Sequence, residues 1–205
     1  MSVKTHMLLI EFSCTGKTRV GQKAFGKSKI LDSDKEVLNL IRDRKKQTFG
    51  GIYEIYMRLE GPPAHTLIEE AENALVDRWI EESRSRIISV GPGIPLRSDK
   101  WKPLRAMSYV VCFKRPAEEI YESLTQGRQG IFRDCPEAAN YDNWDIGVMV
   151  DENRLPFARE VAISKISDLL AEREKFYGDN DAEIIVDKWD NAKCKLKELK
   201  ARFFS

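Results

Sequence analysis

Only two histidines, His6 and His65, occur among the 205 residues, and each stands alone. The four cysteines, Cys14, Cys112, Cys135 and Cys194, are just as scattered. A zinc site of the usual kind takes Cys and His ligands in closely spaced pairs, so no metal is expected through thiolate or imidazole. The same scatter argues against a disulfide frame and for free cysteines. No apolar run approaches the roughly 20 residues of a membrane helix. The opening Met1-Ser-Val-Lys-Thr-His6 also lacks the charged and then apolar regions of a secretory leader. A cytoplasmic protein without membrane contact is expected.

The composition, 42% hydrophobic and 33% charged, is that of a folded globular chain. Its length suits a single globular domain over residues 1–205 with one core. The net charge of +1 conceals blocks of one sign. Residues 1–50 and 96–115 are strongly basic, residues 51–95 and 116–160 are acidic, and the remainder is balanced.

Met7-Leu-Leu-Ile-Glu-Phe12 is a short apolar run suited to a buried strand. A glycine-spaced cationic stretch follows, a basic loop over about residues 15–30 with Gly16, Gly21 and Gly26, too rich in glycine for a helix. Ser33 with Glu36 forms a capping box ahead of a short helix that ends in the basic run Arg42 to Lys46. Residues 52–59 alternate as a half-buried strand, and Gly61-Pro-Pro63 stops them. Thr66 with Glu69 opens a second helix, carrying Leu67, Ala71, Leu75 and Trp79.

Two long irregular excursions are expected, at about 87–105, where Gly91-Pro-Gly-Ile-Pro95 and Pro103 stand, and at about 127–143. Strands are predicted at Met107–Phe113, Trp144–Val150 and Ala182–Val186. Helices are predicted after Pro116, from Pro156 to Gly178, and over Lys188–Phe203. The fold class this pattern predicts is α+β, a mixed sheet of about five strands with helices packed on it. Its alternative is α/β, a three-layer arrangement on a parallel sheet.

Cys14-Thr-Gly-Lys-Thr18, directly after a strand, has the tail of a phosphate-cradling loop. The full motif places glycine five residues before Gly16, where this chain has Glu11, and a carboxylate there would repel phosphate. A plain strand-to-loop turn is therefore expected. Cys14 is the one cysteine placed like a nucleophile, without a local histidine partner, and an inert thiol is expected. Asp142, Asp145, Asp151, Glu152 and Asp187 read as solvated loop ends rather than a metal cluster. In a parallel sheet, Ser13, Cys14, Thr15, Lys114, Arg115, Asp151 and Asp187 would gather at one edge.

The basic clusters carry the leading reading. Lys17, Arg19, Lys23, Lys27 and Lys29 form one, and Arg42, Arg44, Lys45 and Lys46 a second. Arg97, Lys100, Lys102 and Arg105 surround Trp101, an aromatic that could stack on a base. Clustered Lys and Arg neutralise phosphates, so a non-enzymatic nucleic-acid-associated protein is expected, a subunit of a nucleoprotein assembly with nucleic acid as partner and no cofactor. The alternative is an adaptor or structural assembly subunit that docks on protein subunits. A third reading is an α/β enzyme with its site at the strand carboxyl ends.

Overall fold

The computed structural model describes residues 4–12, 14–59, 62–82, 84–126 and 157–204. Of the two forms expected, the chain takes the α/β one. Strands β1 (His6–Ile10), β2 (Ile30–Asp32), β3 (Ile87–Ser89), β4 (Ser108–Lys114) and β5 (Ala182–Ile185) form one sheet. Its order is β2-β3-β1-β4-β5, and every pairing is parallel. Parallel neighbours need crossovers that cover both faces, which is why all five residues of β1 are buried and read as an unbroken apolar run.

Residue alternation sends Leu8 and Ile10 to one face and Met7 and Leu9 to the other. Helices α2 (Ser33–Lys45), α3 (Ile52–Arg58), α4 (Pro62–Glu81) and α5 (Ser98–Ala106) pack with the first pair, around Ile41, Leu75 and Trp79. Helices α1 (Lys17–Phe25) and α8 (Trp189–Phe203) cover the second pair with Val20, Ala24, Ala192 and Leu196. A third cluster joins Phe12, at the end of β1, to Ala117, Ile120 and Leu124 of α6 (Ala117–Gln126) and to Ala162 and Ile166 of α7 (Arg159–Tyr177).

Several expected elements change form. The basic loop after β1 contains α1, because a Cβ at Gly21 would lie 3.0 Å from Leu9 and 3.2 Å from Ile30. Glycine there lets the helix press on the sheet, a packing gain that outweighs its poor propensity. Residues 52–58 are helical rather than extended. Ile52, Ile55 and Leu59 stand three and four residues apart, the spacing of one helical face, and Ile55 is fully buried against the α2–α4 layer. Pro62 and Pro63 begin α4 instead of ending a strand, since a first turn has no use for their missing donors. The excursion at 87–105 holds β3 and α5. The predicted strand Trp144–Val150 and the excursion at 127–143 lie outside the described residues.

Candidate functional site

The carboxyl ends of β1, β2 and β3 meet where the strand order turns back on itself, the place where open parallel sheets leave a crevice. After β1 the chain makes a tight loop into α1. Glu11, Cys14 and Gly16 there have φ values of 141°, 61° and 92°. Gly16 is the N-cap of α1 and provides no side chain to cap the first helical turn.

The loop carbonyls are tied to the protein. Lys17, only 8% exposed, donates from Nζ to the carbonyls of Glu11 at 2.7 Å and Phe12 at 2.8 Å. Thr15 Oγ1 donates to the Phe12 carbonyl at 2.9 Å, and Arg115 Nη1 donates to the Cys14 carbonyl at 2.9 Å. Thr18 Oγ1 and Ser89 Oγ, the latter at the end of β3, lie 2.7 Å apart. These hydroxyls are hard oxygen donors beside the loop, of the kind magnesium takes.

Glu11 does not face a phosphate. Its Oε2 accepts the Cys112 Sγ–H at 2.7 Å from the neighbouring β4, and Lys114 Nζ lies 3.9 Å away. Burial raises its pKa above the ordinary carboxylate value, against the Cys112 hydrogen bond and the charges of Lys114 and Lys17. The carboxylate is thus engaged by side chains of β4.

Across the crevice stand the start of α2 and the turn after β3. Ser33 Oγ accepts the Gly91 N–H at 2.6 Å, so the predicted capping hydroxyl serves the turn rather than its own helix. A Cβ at Gly91 would lie 2.9 Å from Asp34 Oδ1 and 3.1 Å from Ser33 Oγ, a space only glycine leaves open. Asp34 is exposed to solvent, yet the protein around it raises its pKa, with Asp32 adding repulsion and Lys17 opposing both. Glu72 is buried, with Oε1 3.4 Å from the same Gly91 position. Burial raises its pKa too, while Arg97 pairs with its other oxygen and with Glu69. Among the described residues no group of three His, Cys, Asp or Glu side chains is placed to hold a metal ion.

Of the sequence-predicted basic residues, Lys17 alone is built into the phosphate-type loop. Arg19 is exposed with its guanidinium 4.7 Å from the Trp189 ring. Lys23, Lys27 and Lys29 lie exposed towards the end of α1 and on the turn after it, and Arg42, Arg44, Lys45 and Lys46 lie exposed at the end of α2. Cations there complement the partial negative charge of a helix C-terminus. Lys100 pairs with Asp77 at 2.7 Å, Arg105 with Asp179 and Asp181, and Lys102 is exposed. Trp101 is 6% exposed and packs in the core rather than offering a stacking face. Of the strand-end set, Arg115 and Cys14 are joined by a hydrogen bond, while Ser13 and Asp151 lie outside the described residues. Asp34, Glu72 and Ser89 carried no local motif, since only the parallel strand order brings them to the loop.

A five-stranded all-parallel sheet in this order, with helices on both faces, defines an α/β fold. Solved structures share it over nearly the whole chain. The shikimate kinase from Bacteroides thetaiotaomicron is 16% identical, with TM-score 0.65 and coverage of 96% of this chain and 98% of that one. The shikimate kinase from Acinetobacter baumannii, in complex with shikimate, is 18% identical with TM-score 0.64, covering 98% and 96%. The shikimate kinase from Aquifex aeolicus is also 18% identical, with TM-score 0.59 and coverage of 98% and 99%. No family model matches the chain, and no curated protein matches its sequence.

The nucleic-acid and assembly-subunit readings are corrected by this finding. The three solved structures named above, which share the fold end to end, are shikimate kinases, and the partners expected earlier, nucleic acid or docking subunits, fall with those readings. The physical reason is visible in the third basic cluster. There Arg97, Lys100 and Arg105 pair with Glu72, Asp77, Asp179 and Asp181, and Trp101 is in the core. Among the described residues no helix is long and apolar enough to cross a membrane.

Proposed function

We propose that this chain is a phosphotransferase that moves the terminal phosphoryl group of a nucleoside triphosphate to a hydroxyl of a small molecule, in the cytoplasm where such triphosphates are abundant. The observation that carries the reading is the placement of Lys17, at the start of α1 on the loop after β1, within charge range of Asp34 at the strand ends.

In this reading the α1 amides and the helix dipole receive the phosphates, and Lys17 leaves the carbonyls of Glu11 and Phe12 to neutralise the charge that develops in transfer. A magnesium ion arriving with the triphosphate is part of the substrate, and the Thr18 hydroxyl, beside Ser89, would offer it an oxygen ligand. Asp34 accepts the proton of the attacking hydroxyl, a role suited to a carboxylate with a raised pKa at the mouth of a cleft. Asp34 and Glu72, beside the turn at Gly91, accept hydrogen bonds, so a polyhydroxylated acceptor fits this wall.

The test is triphosphate turnover with magnesium, measured against a panel of small polyols, amino alcohols and hydroxy acids, shikimate among them, with Lys17→Met as control. Acceptor-stimulated release of nucleoside diphosphate that vanishes in the control supports the reading. Wild-type protein that neither binds magnesium–triphosphate at millimolar concentration nor responds to any acceptor would refute it.

A further inference from the structure

The loop after β1 keeps a non-glycine residue, Cys14, at φ 61°. Left-handed backbone is unfavourable for an L residue, so something must hold it. The chain supplies that hold from a distance of 101 residues. Arg115 follows β4, and its side chain is only 13% exposed. Its Nη1 donates to the Cys14 carbonyl at 2.9 Å and to Ser123 Oγ at 2.6 Å, and its Nε donates to Glu119 at 2.8 Å. One guanidinium thus bonds the loop and α6 together.

The same guanidinium lies 5.4 Å from the Trp189 ring, and Arg19 lies 4.7 Å from that ring. Trp189 in turn rests on Gly16, where a Cβ would come within 2.6 Å of Cη2. The loop is therefore gripped at Cys14 by Arg115 and at Gly16 by an indole that Arg115 supports. A carbonyl drawn outward to a cation leaves the amides around it turned the other way, towards the space an anion would enter.

We infer that Arg115 is a positioning residue, which presets the Cys14–Lys17 loop in its anion-receiving shape before any ligand arrives. The planar fork is essential to this role. A lysine ammonium can reach acceptors only around one point, so without the planar fork it could not bridge Cys14, Ser123 and Glu119 while lying near a ring. The inference takes from the proposed function only that the loop receives phosphates, and its test separates the two.

The experiment compares wild type, Arg115→Lys and Arg115→Ala in amide hydrogen exchange without ligand, and in calorimetric titration with inorganic tripolyphosphate. The expected result is faster exchange at residues 14–18 in both variants, with β3 and α4 unchanged. Tripolyphosphate affinity should fall at least tenfold in the alanine variant, with lysine recovering part of it. Loop exchange and affinity equal to wild type in the alanine variant would overturn the inference. Accelerated exchange confined to the loop, in a protein that binds no tripolyphosphate, would uphold the positioning role and refute the phosphate reading. General acceleration in the alanine variant leaves the lysine variant to decide, and wild-type loop exchange there overturns the inference.

Discussion

Trp189 lies so close over Gly16 that a single added methyl group would stand 2.6 Å from its Cη2 and closer still to Cζ3. Gly16 also holds φ at 92°, so two independent constraints meet at the N-cap of α1. Gly16→Ala should cost at least about 2 kcal/mol, from left-handed strain and overpacking together. Pairing it with Trp189→Ala should return the overpacking part and leave the strain. Urea denaturation of the single and double variants measures this, and purely additive losses would contradict it.

Lys17→Met removes the ammonium and strips the Glu11 and Phe12 carbonyls of their donor. We expect a loss of about 1–3 kcal/mol in stability and a fall of roughly 10²–10³ in turnover. Circular dichroism should remain that of the wild type. Unchanged turnover would remove Lys17 from the site.

Asp34 titrates above the ordinary carboxylate value because the protein around it penalises its charge and Asp32 repels it. A base must be deprotonated to act, so kcat/KM should fall as pH drops through that raised pKa. Asp34→Asn should lose roughly 10²–10⁴ in kcat and lose the acidic limb with it. A pH–rate profile in which the variant retains the limb assigns it to another group.

Glu11 is 3% exposed and its pKa is raised by burial. The folded state therefore holds the proton more tightly than the unfolded chain does. The stabilising term is fully present below the unfolded value near 4.5 and is lost as pH rises through the folded pKa. Glu11→Gln has no such loss, and its Oε1 can still accept from Cys112. The variant should thus gain on the wild type in urea midpoints as pH rises from 4.5 through the folded pKa, and keep a constant advantage above it. Parallel curves would show that Glu11 is ionised as easily in the fold as out of it.

Local pattern was enough for much of the frame. The apolar run of β1, the β-branched run of β4, the helix opened by Pro116 and the lysine-rich final helix all stand near where spacing and capping place them. These elements are legible because each carries its period within a few residues. The Gly-Lys-Thr string was legible too, but its meaning was not, because the direction of the Glu11 side chain decides it. That direction depends on Cys112 and Lys114, a hundred residues along the chain.

The amino-acid sequence by itself determined the alternation of strands and helices, the scatter of its thiols and imidazoles, and a cationic loop after the first strand. Tertiary structure alone decided that the strands run parallel in the order β2-β3-β1-β4-β5, which sets Ser89 against Thr18 and Gly91 against Asp34. It also made α1 a helix through the fit of Gly21 against Leu9 and Ile30, and paired Arg97, Lys100 and Arg105 with distant carboxylates. Periodicity reports how each residue relates to neighbours a few positions away. Charge partners, cleft walls and side-chain direction are set by residues brought from 20 to 180 positions off, and no local spacing encodes them.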